Sequence, residues 1–135
     1  MQWDAGEHAG FSTGNPWLPI GADYKERYVE HQRVDSTSLF WFYRTLIALR
    51  SRCPALTQGT LHSVRTENGV LIFVRQHQDE RFLIALNLTP TVATVRVELG
   101  QVEARILLST RHDRDAVETT GSLDLAGNEG IVIGF

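Results

Sequence analysis

Three residue patterns in this chain are of types that can do chemistry. Gly10-Phe11-Ser12-Thr13-Gly14 has the Gly-x-Ser-x-Gly spacing of a nucleophile elbow, five histidines offer bases or metal ligands, and the acids offer possible carboxylate pairs. Each needs a particular setting. An elbow works only on a sharp strand-to-helix turn that lifts the serine above a parallel sheet. Here Glu7-His8-Ala9 precedes the motif and Asn15-Pro16-Trp17 follows it, and 135 residues are too few for such a sheet. The serine is read as part of a loop.

His8, His31, His62, His77 and His112 are scattered, with no i, i+4 pair on a helix. His112-Asp113 with Asp115 reads as a solvated turn rather than a metal site. Cys53, the single cysteine, stands directly before Pro54 with no histidine near it in sequence, so it reads as a half-buried small residue. Asn87-Leu88-Thr89 fits a glycosylation acceptor but reads as the polar end of a strand. Glycosidic bond cleavage needs two carboxyls roughly 5–10 Å apart, one of them with a raised pKa. Asp4 and Glu7 are close in sequence, but neither is supported by an element, and the later acids fall at turns or wet strand positions. The expectation is therefore no catalytic residue, no metal and no cofactor within the chain.

The elements that would position these residues fall into three zones. Residues 1–34 read as an irregular loop, because Gly6, Gly10, Gly14, Pro16, Pro19 and Gly21 interrupt every regular period. Trp3, Phe11, Trp17, Tyr24 and Tyr28 make it a segment that packs onto something rather than a linker. Asp35-Ser36-Thr37-Ser38 supplies N-cap residues for a helix at about 37–52. Its apolar stripe is Leu39, Phe42, Tyr43, Leu46 and Leu49, widened by Trp41 and Ile47. Pro54 stops the helix, and the stripe is expected to meet a sheet.

From Thr60 the period becomes that of strands, at 60–65, 70–76, 81–87, 92–99, 103–109, 122–125 and 130–135. Glu67-Asn68-Gly69 signals a hairpin, and His77-Gln78-Asp79-Glu80 a polar turn. Val70–Val74 and Phe82–Leu86 are apolar on both faces, as in strands covered from two sides. Thr94, Arg96 and Glu98 alternate with Val95, Val97 and Leu99, as in a strand with one wet face. The fold class read from this is mainly β: an antiparallel sandwich preceded by one helix and an irregular N-terminal loop.

Composition excludes other classes. The chain is 42% hydrophobic and 21% charged, with a formal charge of -3, so neither disorder nor a nucleic-acid footprint is expected. No stretch approaches the ~20 apolar residues of a membrane span. With no basic-then-apolar start, the expected location is cytoplasmic.

Met1-Gln2-Trp3-Asp4, Ala9-Gly10-Phe11-Ser12-Thr13-Gly14 and Pro16-Trp17-Leu18-Pro19, in that order, resemble the α-glucosidases of the α-amylase superfamily, the oligo-1,6-glucosidases among them. The likeness continues through Asn15, Tyr24, Val29-Glu30, Asp35, Ser38-Leu39, Phe42-Tyr43-Arg44, Leu46–Arg50, Pro54-Ala55-Leu56 and Gly59. Beyond that it is one of layout, with Ala85-Leu86-Asn87. The resemblance implies that residues 1–53 correspond to the end of a (β/α)₈ barrel whose last helix is 37–52. Residues 54–135 then correspond to the C-terminal β domain.

By the same resemblance, Gln2, Trp3 and Asp4 belong to the rim of the sugar pocket, at the catalytic face of the barrel. The nucleophile, the acid/base and the second aspartate of such enzymes precede the segment matched here, as does an Arg-Thr-Pro. The chain is therefore expected to be inactive alone, its partner being the missing barrel, with α-glucosides bound in the parent only. The Asn15-Pro16-Trp17 stretch favours a hydrolytic parent over a trehalose synthase. The alternative is a free-standing carbohydrate-binding or interaction module using Trp3, Trp17 and Trp41. Apolar surface left bare by a missing barrel implies a homodimer through residues 1–50.

Overall fold

The structure, a computed structural model, describes residues 1–100, 104–111, 114 and 120–135. The metal reading at His112, Asp113 and Asp115 falls outside the described residues. The chain divides into two compact units, Met1–Thr45 and Leu46–Phe135.

The second unit is an antiparallel β fold. Its strands are β1 (Thr60–Glu67), β2 (Val70–His77), β3 (Glu80–Asn87), β4 (Ala93–Glu98), β5 (Arg105–Ser109), β6 (Thr120–Leu125) and β7 (Gly130–Gly134). The described residues form one five-stranded sheet in the order β1-β2-β3-β7-β5 and a two-stranded sheet of β4 and β6. Asn68 and Gly69 both take positive φ, 51° and 79°, the conformation that a two-residue hairpin loop demands and that Asn-Gly supplies most readily.

Register explains why the central strands are apolar on both faces. Ile72 lies opposite Ala85, and Ala85 opposite Ile131, so these three share one face. That face packs on Val95 and Val97 of β4 and Leu123 and Leu125 of β6 to form the main core. Phe73, Ile84 and Val132 are paired one residue on and point the other way. There a second core joins Phe82 and Ile84 to Leu49, Ala55 and Leu56. The two covers are the small sheet and the helical segment ahead of β1.

That segment departs from expectation in detail. The helix α2 runs Leu39–Arg52 and starts later than 37, because Asp35–Ser38 forms a turn of its own. Asp35 Oδ1 accepts hydrogen bonds from Thr37 N–H at 2.9 Å and from its hydroxyl at 2.7 Å. Gln32 then caps the helix: its side-chain Oε1 accepts from Phe40 N–H, and its carbonyl accepts from Ser38 Oγ.

Of the expected stripe only Leu49 is buried, whereas Leu39, Tyr43 and Ile47 are 68%, 59% and 61% exposed. Pro54 both ends α2 and opens a second short helix, α3 (Pro54–Thr57), as a first-turn proline can. Ala55 and Leu56 of α3 supply the rest of the cover that the stripe was expected to give.

Residues 1–34 are irregular with two exceptions. Glu7–Gly10 forms a 3-10 turn, and Val29–Val34 a helix, α1. No Gly or Pro lies between Gly21 and the end of α1, so the punctuation that excluded helix earlier stops before it. Among the described residues no helix is long and apolar enough to cross a membrane.

Two buried polar knots close the β unit. Asn87, 2% exposed, donates from Nδ2 to the carbonyls of Thr91 and Ala126, both at 2.8 Å. Its Oδ1 accepts from the N–H and the hydroxyl of Thr89. Glu129, 1% exposed, accepts from Arg114 Nε at 2.7 Å and Nη2 at 2.8 Å. It also accepts from Ala126 N–H at 2.7 Å and Ser109 Oγ at 3.1 Å. Burial would raise its pKa, but these donors outweigh burial and hold the carboxyl below the ordinary glutamate range.

Two predictions follow from this packing. Leu56→Ala should destabilise the β unit by about 2–5 kcal/mol and Phe42→Ala, half-buried, by clearly less; chemical denaturation of both variants reads the order. Protonating Glu129 favours the unfolded chain, so its contribution is complete above the ordinary glutamate pKa of about 4.3 and is lost as pH falls below it. The melting temperature should therefore drop on acidification more steeply in the wild type than in Glu129→Gln; parallel slopes would show that the carboxylate carries no such linkage.

Candidate functional site

The candidate site residues Gln2, Trp3 and Asp4 lie in the Met1–Thr45 unit, and the backbone organises them. Gln2 and Trp3 turn their carbonyls toward α1, accepting from Val29 N–H at 3.0 Å and Glu30 N–H at 2.9 Å. Amides at the start of a helix have no partner within it, so the Gln2–Trp3 segment and α1 complete each other. On its other edge Trp3 N–H donates to Ala9 O at 2.8 Å. The segment is thus held between the helix and the Glu7–Gly10 turn.

That turn is strained. His8, Ala9 and Gly10 have φ of 56°, 56° and 62°, and the left-handed region is costly for the first two, about 1–3 kcal/mol each. Asp4 lies against it: Oδ1 accepts from Gly6 N–H at 2.8 Å, and the carboxylate fills the space where a Cβ on Gly10 would stand, 2.3 Å from Oδ2.

Beside this loop lies a cleft of about 430 Å³, lined chiefly by apolar groups, with Phe11, Trp17 and Leu18 among its lining residues together with Gln2 and His8. Trp17 is 91% exposed and Trp3 49%, so both indoles present free faces. Trp41 does not serve as a free platform. Its indole N–H donates to Arg33 O at 2.9 Å, and the Arg44 guanidinium lies 5.1 Å from its ring centre.

The other chemical patterns resolve as structure. Ser12 Oγ accepts from Gly14 N–H at 3.0 Å in a loop flanked by neither strand nor long helix, so no elbow forms. His62 Nε2 meets Thr60 Oγ1 at 2.6 Å, and His31 Nδ1 lies 3.3 Å from Glu26 O. Among the described residues no three potential metal ligands come together.

The Cys53 thiol is pushed up in pKa by burial first and by the neighbouring Glu80 second, the wrong direction for a nucleophile. The Asn87 amide is committed to carbonyls inside the fold. Glu67, held down in pKa chiefly by its hydrogen bond from Arg65, and Glu129, held down by Arg114, are shifted away from what a proton donor needs. Sequence reasoning missed the Asp4–Gly6–Gly10 contact and the Glu129–Arg114 pair. An Asp followed by glycines two and six residues on was the available signal for the first.

Comparison with known proteins adds to this arrangement. Residues 1–59 match the family model of the α-amylase catalytic domain. A probable oligo-1,6-glucosidase of Bacillus subtilis is 39% identical over 97 residues, 71% of this chain and 18% of that protein. A glucan 1,6-α-glucosidase of Streptococcus pneumoniae is 32% identical over 110 residues, 82% of this chain and 20% of the relative. The trehalulose synthase MutB of Pseudomonas mesoacidophila superposes with a TM-score of 0.89 at 27% identity, over 98% of this chain and 24% of its own.

The chain belongs to the α-amylase superfamily, glycoside hydrolase family thirteen. Within it the likeness is to the C-terminal part of the oligo-1,6-glucosidases and related α-glucosidases, and the chain spans about a fifth of the length of the curated relatives it matches.

Proposed function

We propose that this chain is the part of a cytoplasmic, retaining α-glucosidase that closes and buttresses the catalytic barrel, and that it has no hydrolytic activity by itself. Residues 1–53 are then the end of the barrel and residues 54–135 the C-terminal β domain. Gln2, Trp3 and Asp4 lie at the rim of a pocket for short α-glucosides.

One observation carries the reading. In Met1–Thr45 Ala9 is the one buried hydrophobic residue among the described residues, while Phe11, Trp17, Leu18, Leu39 and Tyr43 are between 59% and 91% exposed. A segment of this length that keeps a defined backbone yet buries almost none of its large side chains is shaped to be covered by more protein. The match of residues 1–59 to a catalytic domain supports the barrel as that cover. Hydrolysis with retention needs a nucleophile and an acid/base about 5–5.5 Å apart. In this reading the barrel supplies both, together with the bound sugar.

The exposed indoles of Trp3 and Trp17 favour one alternative, a free-standing carbohydrate-binding module that stacks sugar faces on them. Saturable quenching of tryptophan fluorescence by maltose or isomaltose would favour it.

The pure chain should give no turnover of p-nitrophenyl α-glucoside, maltose or isomaltose, and turnover that survives Asp4→Asn would overturn the assignment. Without a barrel, the bare face should close against a copy of itself through residues 1–50. Light scattering over a dilution series should show a dimer dissociating, and a monomer at every concentration would remove that expectation.

A further inference from the structure

The geometry points to Asp4 as a positioning residue rather than a sugar ligand: its carboxylate braces the left-handed turn at His8–Gly10, which holds the Trp3 backbone and sets His8 at the cleft. Both carboxylate oxygens lie against the turn. Oδ1 receives the Gly6 N–H at 2.8 Å, and Oδ2 stands where any side chain at Gly10 would have to go, with Cγ 2.6 Å from the same point.

The turn that results is closed on itself. Ala9 N–H donates to Gly6 O at 3.1 Å, and Phe11 N–H to His8 O at 3.1 Å. It aims the Ala9 carbonyl back at Trp3 N–H, 2.8 Å away, while Ala9 itself is 1% exposed. His8, whose side chain keeps 19% of its exposure, lines the cleft together with Gln2.

Two successive non-glycine residues in the left-handed region persist only where their surroundings over-determine them, and Asp4 is the side chain that does so here. Of the three rim residues, Asp4 is thus turned to the backbone of the loop, Gln2 lines the cleft, and Trp3 keeps half its surface free. The clamp stands on the Met1–Thr45 unit by itself, and its bearing on sugar binding rests on the rim placement proposed above.

The test uses the full chain and nuclear magnetic resonance, with resonances of Leu46–Phe135 as the internal control for folding. Asp4→Ala should speed exchange of the Gly6 amide by about tenfold or more, as expected for loss of a charge-assisted hydrogen bond, and should shift the ring signals of His8. Asp4→Asn, which keeps an acceptor oxygen, should restore most of both.

Gly10→Ala should disturb the same signals strongly in the wild-type background and much less when added to Asp4→Ala, because the steric conflict is then gone. The inference is overturned if Gly6 exchange and His8 signals are unmoved in Asp4→Ala, or if Asp4→Asn fails to restore them. It is equally overturned if Gly10→Ala has the same effect in both backgrounds. Were Asp4→Ala to lose the order of the first unit altogether, Asp4→Asn and Gly10→Ala still read the clamp.

Discussion

Phe82, Leu83, Ile84 and Ala85 are buried one after another, and a strand sustains that only when both of its faces are covered. Strand β3 therefore dictates the plan of the β unit. Leu83 and Ala85 require the small sheet of β4 and β6, while Phe82 and Ile84 require Leu49, Ala55 and Leu56. The short helix α3 exists to meet the second demand. Pro54 starts it, and Glu80, at the first residue of β3, accepts the Ala55 N–H at 2.6 Å. The helical segment and the central strand are thereby tied by one polar bond and one apolar contact surface.

The Met1–Thr45 unit is held together on another principle. It lacks a core of large side chains, and hydrogen bonds to the backbone tie it together: Gln2 and Trp3 carbonyls on α1, the Ala9 carbonyl on Trp3, and the Asp4 carboxylate on Gly6. Hydrogen bonds of this kind contribute about 0.5–1.5 kcal/mol each and specify geometry more than they add stability. Such a unit can display Trp3, Phe11 and Trp17 outward in fixed positions, as a surface completed by further protein requires. A segment stabilised by collapse would have withdrawn those rings.

Polar burial in the β unit serves closure. Asn87 and Glu129 each gather backbone and side-chain donors or carbonyls from segments far apart in sequence, Asn87 from Thr91 and Ala126, and Glu129 from Ser109, Arg114 and Ala126. A buried ion pair adds little against a hydrophobic substitute, but removing one partner is costly. Loss of Arg114 would thus leave the buried Glu129 carboxylate without its cation.

The amino-acid order alone determined the strands, the hairpin at Asn68-Gly69 and the double-sided character of β2 and β3, because alternation, turn residues and β-branched runs are local properties of the chain. It also determined the superfamily, through the unusual residues between Met1 and Gly59. It did not determine which residues would cover the second face of β3. The Leu39–Leu49 stripe and the Ala55-Leu56 pair are equally apolar on paper, and only the path of the chain after Pro54 brings the pair, with Leu49, onto Phe82 and Ile84. Nor could it separate the roles of Trp3 and Asp4, neighbours in one motif. That separation arises because a left-handed turn six residues on folds back against the Asp4 carboxylate and leaves the indole free, a contact that exists only in three dimensions.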